Sequence, residues 1–143
     1  MSITVDANVL VYASNSSDPT HPAAKKLIEG LAARPEILYL FWPTTLGYLR
    51  IATHPAIMPR PLGVAEAVAN VSALLALPHV RTPGEAEGFW ELYRSSGGDW
   101  SRANDVPDAH LATLMRQHGV TRILTRDRGF RRYDGIEAID PFL

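Results

Sequence analysis

No cysteine occurs among the 143 residues. Disulfides, zinc–thiolate centres and thiol nucleophiles are thereby excluded, and the composition suits a reducing cytoplasm. Bulk charge of one sign is lacking too. Fourteen basic and fifteen acidic residues leave a formal net charge of −1, so no overall basic field announces a nucleic-acid binder. Apolar runs are too short and interrupted to span a bilayer, and the first residues lack the basic and apolar regions of a signal peptide. No P-loop, dinucleotide glycine pattern or Ser-His-Asp arrangement is present. No repeat, low-complexity tract or linker divides the chain. It reads as one domain, residues 1–143, with 46% hydrophobic content and length enough for a sizeable core.

What is there alternates between two periods. Strands are expected at residues 3–5, 37–41, 79–81, 121–124 and 136–139. Between them, helices are expected at 9–13, from Asp18 or Thr20 to 33, at 43–53, 64–77, 85–93 and 107–118. Pro43 sits at a helix start with Thr44 or Thr45 near its cap, and Gly119 closes the last helix. Residues 95–104 read as a flexible polar loop. Strands alternating with helices predict an α/β fold with a mostly parallel sheet covered on both faces. Right-handed crossovers then bring every strand's carboxyl end to one rim, where ligands bind in such sheets.

Three carboxylates fall on that rim. Asp6 ends the first strand, Asp127 follows the fourth, and Asp108 lies in the first turn of the helix feeding the fourth. Each has a plainer role available. Asp108 can complement a helix dipole, Asp127 can be a turn residue before Gly129, and Asp6 can cap the following helix. Their convergence is harder to dismiss, because clustered carboxylates repel unless a cation neutralises them. A hard divalent ion held by oxygen ligands is the simplest solution. Magnesium or manganese held this way activates water and stabilises in-line displacement at phosphorus.

The basic residues are unevenly placed. All but Lys25 and Lys26 are arginines, and Arg122, Arg126, Arg128, Arg131 and Arg132 crowd around Asp127. The run is either a solvated loop or a phosphate contact, since the planar fork of Arg suits phosphate oxygens.

The residues carry a family resemblance. Val5-Asp6-Ala7-Asn8-Val9-Leu10, Pro107-Asp108-Ala109-His110-Leu111-Ala112, His118-Gly119, Leu124-Thr125-Arg126-Asp127-Arg128-Gly129-Phe130 and Ile139-Asp140-Pro141 resemble PIN-domain nucleases in order and spacing. More narrowly, they resemble VapC-type toxins of bacterial toxin–antitoxin pairs. The resemblance spans nearly the whole chain. It implies a three-layer α/β/α fold with a central, mostly parallel sheet of about five strands. It also implies ribonuclease activity dependent on Mg2+ or Mn2+, and a VapB-like antitoxin that covers the site. Asp6, Asp108 and Asp127 match the family's metal-site acids, Thr125 a hydroxyl beside the last of them, and Asn8 a position often polar.

One position departs. The family usually places a Glu in the helix after the second strand, where this chain has Gly47-Tyr48-Leu49-Arg50. Three outcomes stay open. The site works with three acids and more water, or Asp105 stands in for the missing acid, or the protein binds RNA without cutting it.

Other residues are weaker candidates. Arg50 can contact phosphate, hold Asp6 or form a surface ion pair; Arg126 and Arg128 are candidate substrate contacts. His54 reads as a capping residue or a substrate contact, and His110 as a structural partner. Trp42, Trp90 and Trp100 read as core or loop anchors, with base stacking an alternative for Trp100. The apolar stretches 9–12 and 38–42 exceed what so small a domain is expected to bury, which points to homodimerisation and antitoxin docking near the N-terminal helices. A haloacid-type phosphatase would want a second Asp at residue 8, where Asn8 stands. A receiver domain would want paired acids near the N-terminus and a late Lys, and the chain has neither.

Overall fold

The computed structural model describes all residues, 1–143. Strands β1 (Ser2–Val5), β2 (Ile37–Tyr39), β3 (Val80–Arg81), β4 (Arg122–Leu124) and β5 (Glu137–Ile139) form one sheet in the order β3-β2-β1-β4-β5. Every pairing is parallel. Six helices accompany them: α1 (Ala7–Ser14), α2 (His21–Ala33), α3 (Trp42–Ala52), α4 (Val64–Leu75), α5 (Phe89–Tyr93) and α6 (Val106–Gln117).

The period of two along each strand divides the interior into two cores. Ile3, Val5, Leu38, Leu40, Val80 and Leu124 point to one face, where α1 to α4 contribute Val9, Leu10, Leu31, Tyr48 and Ala67. Tyr39, Phe41 and Ile123 point to the other, against Leu111, Leu114 and Met115 of α6, with Phe130 and Tyr133. This is the three-layer α/β/α arrangement that the sequence predicts. No helix is long and apolar enough to cross a membrane.

The chain leaves β1 to one side for β2 and β3, and returns on its other side as β4. The switch point therefore lies between β1 and β4, whose register pairs Val5 with Leu124. Asp6 extends that pairing, its amide bonding to the Leu124 carbonyl at 3.0 Å. The crevice expected outside a switch point thus opens beside Asp6 and Thr125. At the end of α6, Gly119 takes φ +70°, and the Val120 amide bonds back to the Met115 carbonyl at 2.8 Å, the glycine stop that the sequence predicts.

Four local expectations are corrected. The fifth helix begins at Phe89, not Glu85. The preceding residues are held instead by α6: His118 Nε2 meets the Gly84 carbonyl at 2.8 Å, and Gln117 both accepts from the Ala86 amide and donates to its carbonyl. Residues 95–104 are not a loose loop. The backbone continues past α5 in one wide turn over Arg94–Gly98 that buries Ser96 and Gly97. Thr44 and Thr45 lie inside α3, buried, while Phe41 takes the cap position. Finally, Val9, Leu10, Val11, Leu38, Leu40 and Phe41 are all buried within the domain. Trp42, the last residue of the second stretch, does stay exposed, and Leu46 of α3 and Val64 and Val68 of α4 are exposed too.

Candidate functional site

Thr125 is the hinge of the site. It is 2% exposed, and its hydroxyl donates to Asp6 Oδ2 at 2.9 Å while accepting the Asp127 amide at 2.9 Å. One buried oxygen thus fixes two acids that stand far apart in the chain. Asp127 closes a tight turn of its own, its Oδ1 accepting the Gly129 amide at 2.8 Å. Asp6 holds the N-cap position of α1 with extended backbone, but its side chain makes no capping bond. The carboxylate is hydrogen-bonded to Thr125, with the Ala7 and Asn8 amides near enough to favour its charge.

Asp108 arrives from the opposite layer. Pro107 is the second residue of α6, and Asp108 lies in the helix's first turn. Burial and the neighbouring charges of Asp127 and Asp6 push its carboxyl up to about 7, against the weaker opposing pull of Arg132. Burial also raises Asp6, although the Thr125 hydroxyl and the amides of Ala7 and Asn8 offset part of the rise. The three acids therefore feel one another, as expected of a carboxylate cluster lacking a neutralising cation. The donor set fits a hard divalent ion by chemistry, being all oxygen and mutually repulsive. As the side chains lie, no three of them form a closed ligand group, so an ion bound here would retain waters.

Arg132 reaches this cluster through Asp108. Its Nη2 lies 2.9 Å from Asp105 Oδ1 and 3.8 Å from Asp108 Oδ2. Asp105, the candidate replacement acid, is thus engaged by Arg132. Sequence reasoning named Arg132 only as one of a run, and nothing in a run of arginines says which member turns inward.

The other arginines scatter. Arg122 lies at the amino end of β4, where it pairs with Glu36 and the Ser2 carbonyl, and so belongs to the opposite rim. Arg126 is pinned by Thr20 at 3.0 Å and lies over the Tyr12 and Phe142 rings. Arg128 and Arg131 border a small cleft with Thr125, Asp127 and Asp140. Arg50 is exposed and does not hold Asp6, whose side-chain partner is Thr125. Asn8 is exposed as the second residue of α1. His54 caps its own turn through the Ala56 amide, and His110 pairs with Glu85, as expected of structural residues. None of the three tryptophans is a core residue, since Trp42, Trp90 and Trp100 are 41%, 65% and 54% exposed.

Gly47 is not forced by crowding. A Cβ there would meet only the Ala7 Cβ, at an ordinary 3.6 Å. Gly47→Ala is expected to stabilise the fold by roughly 0.5–1 kcal/mol through helix propensity; a lowered melting temperature would contradict this. Gly129 is different. A Cβ there would come within 2.9 Å of Asp127 Oδ1 and 3.3 Å of Arg132 Nη2. Both are tips of movable side chains, so Gly129→Ala should displace the carboxylate more than it strains the backbone. The expected result is a shifted Asp127 carboxylate with a melting temperature close to the parent's.

Fold and site together define a class: a parallel α/β protein whose switch point gathers carboxylates. A model of the PIN domain matches residues 3–136. The chain is 48% identical over 143 residues to Ribonuclease VapC48 of Mycobacterium tuberculosis, covering 99% of each, and 34% identical over 132 residues to Ribonuclease VapC43 of the same organism, covering 92% of this chain and 89% of that one. Among solved structures, M. tuberculosis VapC20, a sarcin-ricin loop cleaving toxin, superposes with a TM-score of 0.66 at 19% identity, over 94% of this chain and 98% of that one. FitAcB of Neisseria gonorrhoeae gives 0.64 at 20% identity, over 97% of each. The chain belongs to the PIN-domain family and, within it, to the VapC ribonucleases.

Proposed function

We propose that this protein is a divalent-metal-dependent endoribonuclease and the toxin of a toxin–antitoxin pair. The observation that carries the reading is the convergence of Asp6, Asp108 and Asp127 at the β1/β4 switch point, in a chain belonging to the VapC ribonucleases. The three acids would hold Mg2+ or Mn2+. When bound, the ion lowers the pKa of water and offsets charge at phosphorus. The chain's own residues supply position. Thr125 sets the spacing of Asp6 and Asp127, and Gly129 leaves Asp127 room. Arg128 and Arg131, on the border of the cleft, face the phosphates. Arg132 shields Asp105 and Asp108 until a cation replaces it. Cleavage of single-stranded RNA by the purified protein, supported by magnesium and abolished by EDTA, is the test. Equal cleavage in EDTA would overturn the metal-dependent reading.

A second reading has its own observation. The helix position where the family usually carries Glu is Gly47, and the nearest side chain there is the methyl of Ala7. A non-catalytic RNA-binding module would bind RNA without turnover. Metal binding that survives in Gly47→Glu, with turnover in the parent, favours the three-acid enzyme.

The partner we assign is a VapB-like antitoxin. Solved neighbours include VapBC2 of Rickettsia felis and a FitAB complex, each bound to DNA. On this chain an apolar groove lined by Leu10, Ile28, Val71 and Leu74, among α1, α2 and α4, offers a seat near the N-terminal helices. The exposed Trp42 and Leu46 suit a second copy of the chain. We place the protein in the cytoplasm, where its RNA substrate is found.

A further inference from the structure

We propose that Trp100 is a stacking floor for an unpaired base of the RNA, next to the phosphate held at the acidic cluster. This rests on the RNA-directed reading above and deepens it. Trp100 lies on Tyr133 with ring centroids 5.2 Å apart and planes 17° from parallel. One face is therefore covered, yet the residue stays 54% exposed, which leaves indole surface for a partner. The support beneath is fixed. Tyr133 is 2% exposed, and its hydroxyl meets Ser101 Oγ at 3.2 Å and the Asp105 carbonyl at 3.4 Å. Gly97 is required for this seat. Its φ is +121°, and a Cβ there would come within 2.8 Å of both rings. The indole is thus held in place before anything binds, which lowers the ordering cost of a partner.

Arg132 ties this slab to the acids. Its guanidinium carbon lies 5.9 Å from the Trp100 ring centre and 5.4 Å from that of Tyr133. The same guanidinium reaches Asp105 at 2.9 Å and Asp108 at 3.8 Å. A single guanidinium spans the gap between slab and carboxylates, a reach suited to one nucleotide with its base on the indole and its phosphate toward the acids. With a net charge of −1, the protein has little bulk attraction for RNA. Stacking is an affinity source that needs no such charge.

The experiment uses the full chain with Trp42→Phe and Trp90→Phe, so that Trp100 is the sole tryptophan, with Ca2+ in place of Mg2+ to keep a cation at the acids while suppressing turnover. A single-stranded RNA of about ten nucleotides is titrated against an oligomer of equal length with abasic riboses. Quenching by the RNA, with about tenfold weaker binding of the abasic oligomer, is expected. Trp100→Ala should weaken RNA binding about tenfold and raise KM with little change in kcat, and Trp100→Phe should recover most of the affinity. Equal affinity for the two oligomers overturns the proposal, and this comparison needs no substitution at Trp100. Unchanged RNA affinity in a folded Trp100→Ala protein also overturns it, and leaves the slab to a protein partner. Base-dependent binding without cleavage would defeat the nuclease reading and keep this one; cleavage without base dependence would do the reverse.

Discussion

Asp6→Asn should reduce RNA cleavage by more than about 100-fold while leaving the protein folded. The magnitude follows from the position of Asp6. Loss of a residue that merely orients a metal ligand typically costs 10–100-fold, and we propose Asp6 as a ligand itself. The fold should survive, because the backbone pairing of the Asp6 amide with Leu124 is untouched and an amide side chain can still accept from Thr125 Oγ1. Burial already disfavours the Asp6 charge, so neutralising it should not lower the melting temperature of the metal-free protein. Thr125→Val provides the graded control. It removes the hydroxyl that donates to Asp6 and accepts from the Asp127 amide, and a 10–100-fold loss is expected. Undiminished cleavage in Asp6→Asn, measured by product formation on single-stranded RNA, would remove Asp6 from the chemistry.

Without divalent metal, the protein should become less stable as pH rises from about 4 to about 7, and a divalent cation should reverse the loss. Asp108 holds its proton up to about 7 in the folded protein, whereas a free carboxyl releases it near 4. Across that interval the unfolded chain has given up a proton that the folded chain retains. Rising pH therefore favours unfolding, and the loss is complete above about 7. Asp6, also raised, acts in the same direction, while Glu85, lowered by His110, acts in the opposite one. Melting in EDTA at pH 5 and pH 8 is the measurement. The parent should lose stability over this range, and Asp108→Asn should lose less. At pH 8, Mg2+ or Mn2+ at about 100 times its Kd should add about 2.7 kcal/mol. For a chain of this length that is a rise of roughly 5–10 °C, and Asp108→Asn should show little of it. A flat pH profile in the parent would contradict the mutual coupling of the three acids.

Much of this was legible in the sequence because the signals involved are local. The alternation of periods announced the α/β sheet, Gly119 announced the end of α6, and Asp6 and Asp127 could be placed on the rim because each follows a strand. The errors have causes that lie mainly far along the chain. The 85–93 segment has helical composition, but side chains of α6 occupy the backbone groups of residues 84–87 that a helix would have used. The 95–104 segment has loop composition, but its glycines accommodate rings: a Cβ on Gly98 would overlap Tyr93, and one on Gly97 would overlap Trp100 and Tyr133.

By itself, the sequence determined the order of strands and helices, the rim on which three carboxylates fall, and the family. Each follows from periodicity, chain direction or short motifs. Only the tertiary structure decided which side chains meet. It sent Arg122 to the opposite rim, laid Arg126 over two rings, and turned Arg132 onto Asp105 and Asp108. It also joined Asp6 to Thr125, a pair 119 residues apart. An arginine is long enough to reach either way, and a bond between distant residues exists only once strand register has set their spacing. Neither is encoded within a few residues of chain.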